Sequence, residues 1–181
     1  KVDLDLGVAK GWTEFAAFSA ARRVVSIDGT DRVLPPSIVS AASSKVVITR
    51  VKWRVKDMIM ALSCPPGDER SACLDVVQDA LSDASNPRGS ADVVLGDLAC
   101  NVRECGKLLS ALALLLGGRP GDGDGTGDCG GGRRGLIVIT VIGSAIGADA
   151  MAQIWASGAR RVSLVHLFAS RKQERCLVAH F

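Results

Sequence analysis

The chain has 181 residues, 48% hydrophobic and 23% charged, enough to bury one full core, so a single domain is expected over residues 1–181 and two would be crowded. Its formal charge of +3 is too small to mark a nucleic-acid binder by itself, so any such case has to rest on where the charges lie. No apolar run reaches the length of a membrane-spanning helix: Leu108 to Leu116 is short, and Leu136 to Ala148 is broken by Thr140, Gly143 and Ser144.

The first strand is expected at Val2 to Leu6, with no initiator Met before it, so the chain reads as an N-terminally truncated piece of a longer polypeptide. It runs into a glycine turn, VDLDLGVAKGW, then a helix over Thr13 to Arg22 and a second strand, Val24 to Ile27, that ends at Asp28. This is the βαβ layout of a nucleotide-cofactor cradle. Glycine lets the backbone turn sharply beside a ligand, and a carboxylate at the tip of the second strand can accept hydrogen bonds from a ribose diol. A dinucleotide fingerprint would read G-x-G-x-x-G, whereas Gly7 and Gly11 lie four apart behind Asp3 and Asp5. Those carboxylates repel a pyrophosphate and suit a cofactor with an ammonium group. S-adenosylmethionine has one, together with a sulfonium. The plainer alternative is a tight strand-to-helix turn with no ligand.

Further strands are expected within Val46 to Val55 and at Val93 to Leu98, Leu136 to Ile142, Val162 to Leu167 and Cys176 to Ala179. Helical patterns fall at Pro36 to Ala42, Ala72 to Asp83, Val102 to Leu116 and Ala148 to Ser157. The alternation predicts an α/β fold, a mostly parallel sheet with helices on both faces. Only the short polar turn Ala169 to Glu174 joins the last two strands, so they should pair antiparallel.

Arg50, Lys52, Arg54 and Lys56 recur at period two, so an extended segment would carry them on one face. Such a face can hold phosphates, with Arg22, Arg23, Arg160, Arg161, Arg171 and Lys172 adding to the field, or it can simply protect an edge strand. Asp75, Asp79 and Asp83, spaced by four, read as the wet face of a helix. Gly117 to Gly135 is of low complexity and is expected to be a flexible Gly-rich insertion at the N-terminal ends of the strands; its aspartates and Cys129 read as solvated rather than metal-binding. The six cysteines form no C-x-x-C pair and the two histidines have no ligand-like spacing, which argues against zinc and for free thiols in the cytoplasm or an organelle matrix.

Four segments in order now carry a family likeness: DLGVAKGWTEF (Asp5 to Phe15), VKWRVKDM (Val51 to Met58), DVVLGDLA (Asp92 to Ala99) and ASRKQERCLVA (Ala169 to Ala179). Together they resemble the FtsJ-like ribose 2′-O-methyltransferases, nearest to the branch acting on a cytidine ribose of large-subunit ribosomal RNA. The resemblance implies a Rossmann-like methyltransferase fold with a C-terminal antiparallel hairpin, S-adenosylmethionine as cofactor and structured, ribosomal RNA as partner. It assigns Asp5, Gly7, Ala9, Gly11 and Trp12 to the loop around the methionine part of the cofactor, Asp28 to its ribose and Asp57 to its adenine amino group.

The family's Lys-Asp-Lys-Glu constellation is matched here by Asp97 and Glu174, and Asp97 also counts toward the cofactor pocket. Thr140 stands where the second lysine belongs, and the first lysine would lie upstream of this chain. Lys10 replaces the usual Pro in the glycine loop, which has one glycine fewer before Trp12. A neutral hydroxyl cannot supply the electrostatic activation of an ammonium, commonly worth ~2 to 4 kcal/mol in a water-excluded site. Two readings follow: an RNA ribose 2′-O-methyltransferase, and a non-catalytic relative that binds RNA or assists ribosome assembly. A nucleotide-dependent oxidoreductase ranks behind both, for want of the glycine fingerprint.

Overall fold

The computed structural model describes residues 2–6, 23–29, 47–101, 104–118, 133–142, 146–166 and 174–181. Seven strands form one sheet: β1 (Val2–Leu6), β2 (Arg23–Asp28), β3 (Val47–Lys52), β4 (Val93–Asn101), β5 (Leu136–Ile142), β6 (Arg161–His166) and β7 (Glu174–His180). Their order across the sheet is β3-β2-β1-β4-β5-β7-β6. The first five are parallel, and β7 runs antiparallel between β5 and β6. The expected pairing of the last two strands therefore holds, and the hairpin wedges its second strand against β5.

Four helices are described: α1 (Val55–Ser63), α2 (Asp68–Leu81), α3 (Cys105–Ala113) and α4 (Ala148–Ala156). α3 packs against α1 and α4, and α1 against α2. Their buried residues, among them Met58, Leu62, Val77, Leu109, Leu112 and Ile154, join Val25, Ile27, Val94, Ile137, Ile139, Val141 and Leu177 of the sheet in one core. Gly106 permits the tight α3–α4 approach, because a side chain there would meet Cβ of Gln153. The alternate strand positions Val24, Leu95, Thr140 and Cys176 face the other way and are buried too, as a mostly parallel sheet requires. The helices expected at Thr13 to Arg22 and Pro36 to Ala42 lie outside the described residues.

Two expectations are corrected. The basic period-two face does not extend past Lys52, because α1 starts at Val55 and carries Lys56 into a helix. Val55, Met58, Ile59 and Leu62 have the spacing of a helix face, and burying that stripe decides the conformation. The helix stops at Cys64, which stays extended because Pro65 follows. Asp83, expected on the wet face of α2, lies beyond its end, where Oδ1 accepts from the backbone N–H groups of Ser85 and Asn86 at 2.8 Å each. The Gly-rich segment is paired at both ends, Gly117–Gly118 against Arg133–Arg134, and its interior lies outside the described residues.

Arg23 is likewise removed from any RNA-facing field. Its guanidinium donates to the carbonyls of Ala80 at 2.8 Å and Ser82 at 2.7 Å, satisfying acceptors at the C-terminal end of α2, with Asp83 at 3.5 Å. The turn after α2 also depends on Gly89, whose φ of +58° is left-handed and whose Cβ, if it had one, would collide with the carbonyl of Gln78. Gly89→Ala is therefore expected to lower stability by about 2 kcal/mol or more, read as an earlier urea midpoint, whereas an unchanged midpoint would mean that this turn is relaxed in solution.

Candidate cofactor-binding edge

Parallel strands place all their C-terminal ends on one side of the sheet, and ligands of such folds bind there, where the strand order reverses. Here that reversal falls between β1 and β4. Asp5 pairs with Leu95 of β4 and Ser26 of β2, and Leu6 with Gly96, which puts the end of β1 beside the start of the Asp97 segment. One strand over, the half-buried Asp28 ends β2 in register with Lys52, and its carbonyl accepts from the N–H of Trp53 at 3.1 Å. Asp57, which the resemblance assigns to the adenine amino group, is exposed and sits in the first turn of α1, where its charge favours the helix N-terminus.

On the other side of β1, β4 breaks its register with β5. Gly96 pairs with Ile139 and Cys100 with Val141, so Asp97, Leu98 and Ala99 together stand opposite Thr140 alone. A bulge of this kind bends the strand and re-aims its side chains, and bulges concentrate beside active sites. Thr140 is 6% exposed and pairs on its far side with Cys176, while Ile142 pairs with Glu174. The structure thus brings Asp5, Asp28, Asp97, Thr140 and Glu174 to one edge of five adjacent strands. Gly7, Ala9, Gly11 and Trp12 lie outside the described residues.

A cleft of about 500 Å³ opens next to this edge between α1, the end of β4 and the start of α3. Lys56, Met60, Leu98, Cys100, Glu104 and Lys107 are among its walls. Sequence reasoning placed Lys56 on an extended basic face and gave Met60 no role, because it did not see α1 as a helix. The helical spacing of Val55, Met58, Ile59 and Leu62 was the signal that would have found them. Met60 is 60% exposed, an apolar side chain left at the mouth of a cavity with two lysines and one carboxylate.

Cys100 is half-buried in the wall of this cleft. Burial, followed by the electrostatic influence of Cys105, pushes its thiol from the ordinary 9.0 up to about 12. Burial raises Cys73 and Cys105 as well. Among the described residues the cysteines are free thiols, and no group of His, Cys, Asp and Glu could hold a metal ion. No described helix is long and apolar enough to cross a membrane.

No family profile matches the chain, and no curated protein matches it in sequence. Solved structures match it in fold. A protein from Streptococcus mutans described as a SAM-dependent methyltransferase superposes on 100% of this chain and 44% of its own, with a TM-score of 0.56 and 13% identity. The pre-rRNA processing protein fibrillarin of Methanococcus jannaschii gives 0.51 and 14%, over 99% of this chain and 66% of its own. The 1,6-didemethyltoxoflavin-N1-methyltransferase of Burkholderia thailandensis, crystallised with S-adenosylhomocysteine, gives 0.50 and 16%, over 99% of this chain and 70% of its own. The fold is the Rossmann-like fold of S-adenosylmethionine-dependent methyltransferases.

The thiol shift has a consequence for stability. Above pH 9.0 the unfolded chain loses the Cys100 proton while the folded chain keeps it until about pH 12, so the folded state loses ground as pH rises through that window. The urea midpoint should fall from pH 8 to pH 11, and fall less in Cys100→Ala. Equal slopes would show that the thiol is solvated.

Proposed function

We propose that this chain is an S-adenosylmethionine-dependent methyltransferase acting on a ribose 2′-hydroxyl of structured RNA. The observation that carries the reading is the strand order β3-β2-β1-β4-β5-β7-β6 with β7 reversed, together with Asp5 and Asp28 at the ends of neighbouring parallel strands. Carboxylates there fit a cofactor with an ammonium group and a ribose diol, and Asp57, in the first turn of α1, is the further acid for the adenine amino group. The cofactor supplies an electrophilic methyl group. The chain supplies the crevice that orients it and, from the bulge of β4 and the first residue of β7, Asp97 and Glu174 to position the attacking hydroxyl and accept its proton.

RNA is favoured over a small molecule by the four ordered segments that resemble the FtsJ-like enzymes, and the fold it shares with fibrillarin is consistent with that choice. The second reading, a non-catalytic RNA-binding or assembly factor built on the same fold, is favoured by one observation. Thr140, buried and opposite the Asp97 segment, has no charge with which to lower the pKa of a ribose hydroxyl.

Calorimetric titration with S-adenosylmethionine and S-adenosylhomocysteine separates a working pocket from a relic. Binding near the micromolar range, about −8 kcal/mol, is expected, weakened at least about tenfold in Asp28→Asn. Absence of binding at millimolar cofactor would sink the methyltransferase reading. With binding established, Thr140→Lys should raise transfer of a radiolabelled methyl group to RNA by about tenfold or more if the other residues are in place. Unchanged or absent transfer in that variant would support the non-catalytic alternative.

A further inference from the structure

The N-terminal edge of the sheet, opposite the cofactor edge, gathers cations that the methyl-transfer reading does not use. Arg134 lies just before β5, Arg161 starts β6 in register with His180 at the end of β7, and His180 is in turn in register with Leu136 of β5. Arg160 is tied to the same place by its N–H, which donates to the His180 carbonyl at 2.7 Å. Neighbouring strands lie about 4.8 Å apart, so these four residues span a strip roughly 10 to 15 Å wide, the reach of two or three phosphates along a strand. All four are exposed. A shallow depression of about 570 Å³, lined by Asp92, Val93, Arg134, Gly135, Leu136 and His180, runs beside them.

We infer that this edge is a second RNA-contacting face, remote from the cofactor and holding the body of a structured RNA by its phosphates. The inference rests on the RNA reading above. Guanidinium groups are the side chains best matched to phosphate oxygens, and an exposed imidazole ring offers a base something to stack on. Asp92 in the depression opposes an anion, and Arg134 and His180 line the same depression. The charge is segregated as well. The α2 side of the molecule carries Asp68, Glu69, Asp75 and Asp79 against Arg70 and Arg88, an acidic excess that favours the β5–β7–β6 side for a polyanion. A membrane surface would call for apolar residues to insert among the cations. Of the large exposed apolar residues, Ile142 and Val165 lie toward the other ends of β5 and β6, and only Trp155, at the end of α4, is close along the chain to Arg160. β5 runs from Leu136 to Ile142, so the face lies roughly 20 Å from the methyl-transfer edge at about 3.3 Å per residue.

The test is fluorescence anisotropy with a labelled RNA hairpin, using the full chain and the variant Arg134→Ala, Arg160→Ala, Arg161→Ala. Each titration is repeated at salt from about 50 to about 200 mM. The variant should bind the hairpin about tenfold or more weakly, with a salt slope smaller by roughly 2 to 3, about 0.7 to 0.9 for each phosphate no longer neutralised. Equal affinity and slope in the two proteins, or no hairpin binding by the unaltered chain, would overturn the inference. So would binding to phosphatidylserine vesicles as tight as that to RNA. Calorimetry with S-adenosylmethionine on both proteins keeps the two proposals apart. Cofactor binding without any effect of the arginines removes only this face, and arginine-dependent RNA binding without cofactor binding removes only the methyltransferase.

Discussion

Parallel pairing of β1 with β4 is the constraint on which the rest of this molecule depends. β1 is only five residues long, yet the β2–β3 arm hangs from one of its sides and the β4–β5–β7–β6 arm from the other. The chain passes from β1 to β2 on one side of that seam and from β4 to β5 on the other, the arrangement at which sheets of this kind bind their ligands. The position of Asp5, one residue before the end of β1 and flanked by Ser26 and Leu95, is therefore set by strand pairing on both sides. The sheet itself fixes the backbone from which that carboxylate springs.

The β4 bulge completes that edge. A regular ladder would continue the alternation of Val93 to Gly96 into Asp97, Leu98 and Ala99, one residue of β5 for each. Matching all three to Thr140 alone advances β4 past β5 by two residues before pairing resumes at Cys100. Leu98 and Cys100 then meet α1 and α3 at the cleft, so the same irregularity shapes both the Asp97 segment and the cavity beside it.

Much of this was legible in the sequence. Strands buried on both faces read as apolar runs, and LIVITVI over Leu136–Ile142 and VVSI within β2 were found within a residue or two of their bounds. The short link before β7 fixed its direction, since no parallel crossover fits there. The start of α1 was hidden because Arg50, Lys52, Arg54 and Lys56 keep a strand-like alternation across the boundary, while the helical stripe of Val55, Met58, Ile59 and Leu62 begins inside it. Two periodicities overlapped, and burial of the apolar one prevailed. The basic cluster at the far edge was illegible for another reason. Arg134, Arg161 and His180 are brought together only by the β5–β7 and β7–β6 registers, which no local pattern encodes.

Thr140 shows what the fold itself permits at this edge. A buried threonine needs only hydrogen-bond partners, whereas a buried ammonium must be paired with a carboxylate to be tolerated. The register offers candidates for such a pair on both sides of the position: the Asp97 segment across from it on β4, and Glu174, which sits opposite Ile142. With threonine in place those acids no longer have to balance a central cation, and the site loses the electrostatic tension by which a lysine would activate a hydroxyl. On the proposed function, the scaffold for transfer and the charge that drives it are thus separable: strand order and bulge would hold the first, while part of the second would depend on one position in β5.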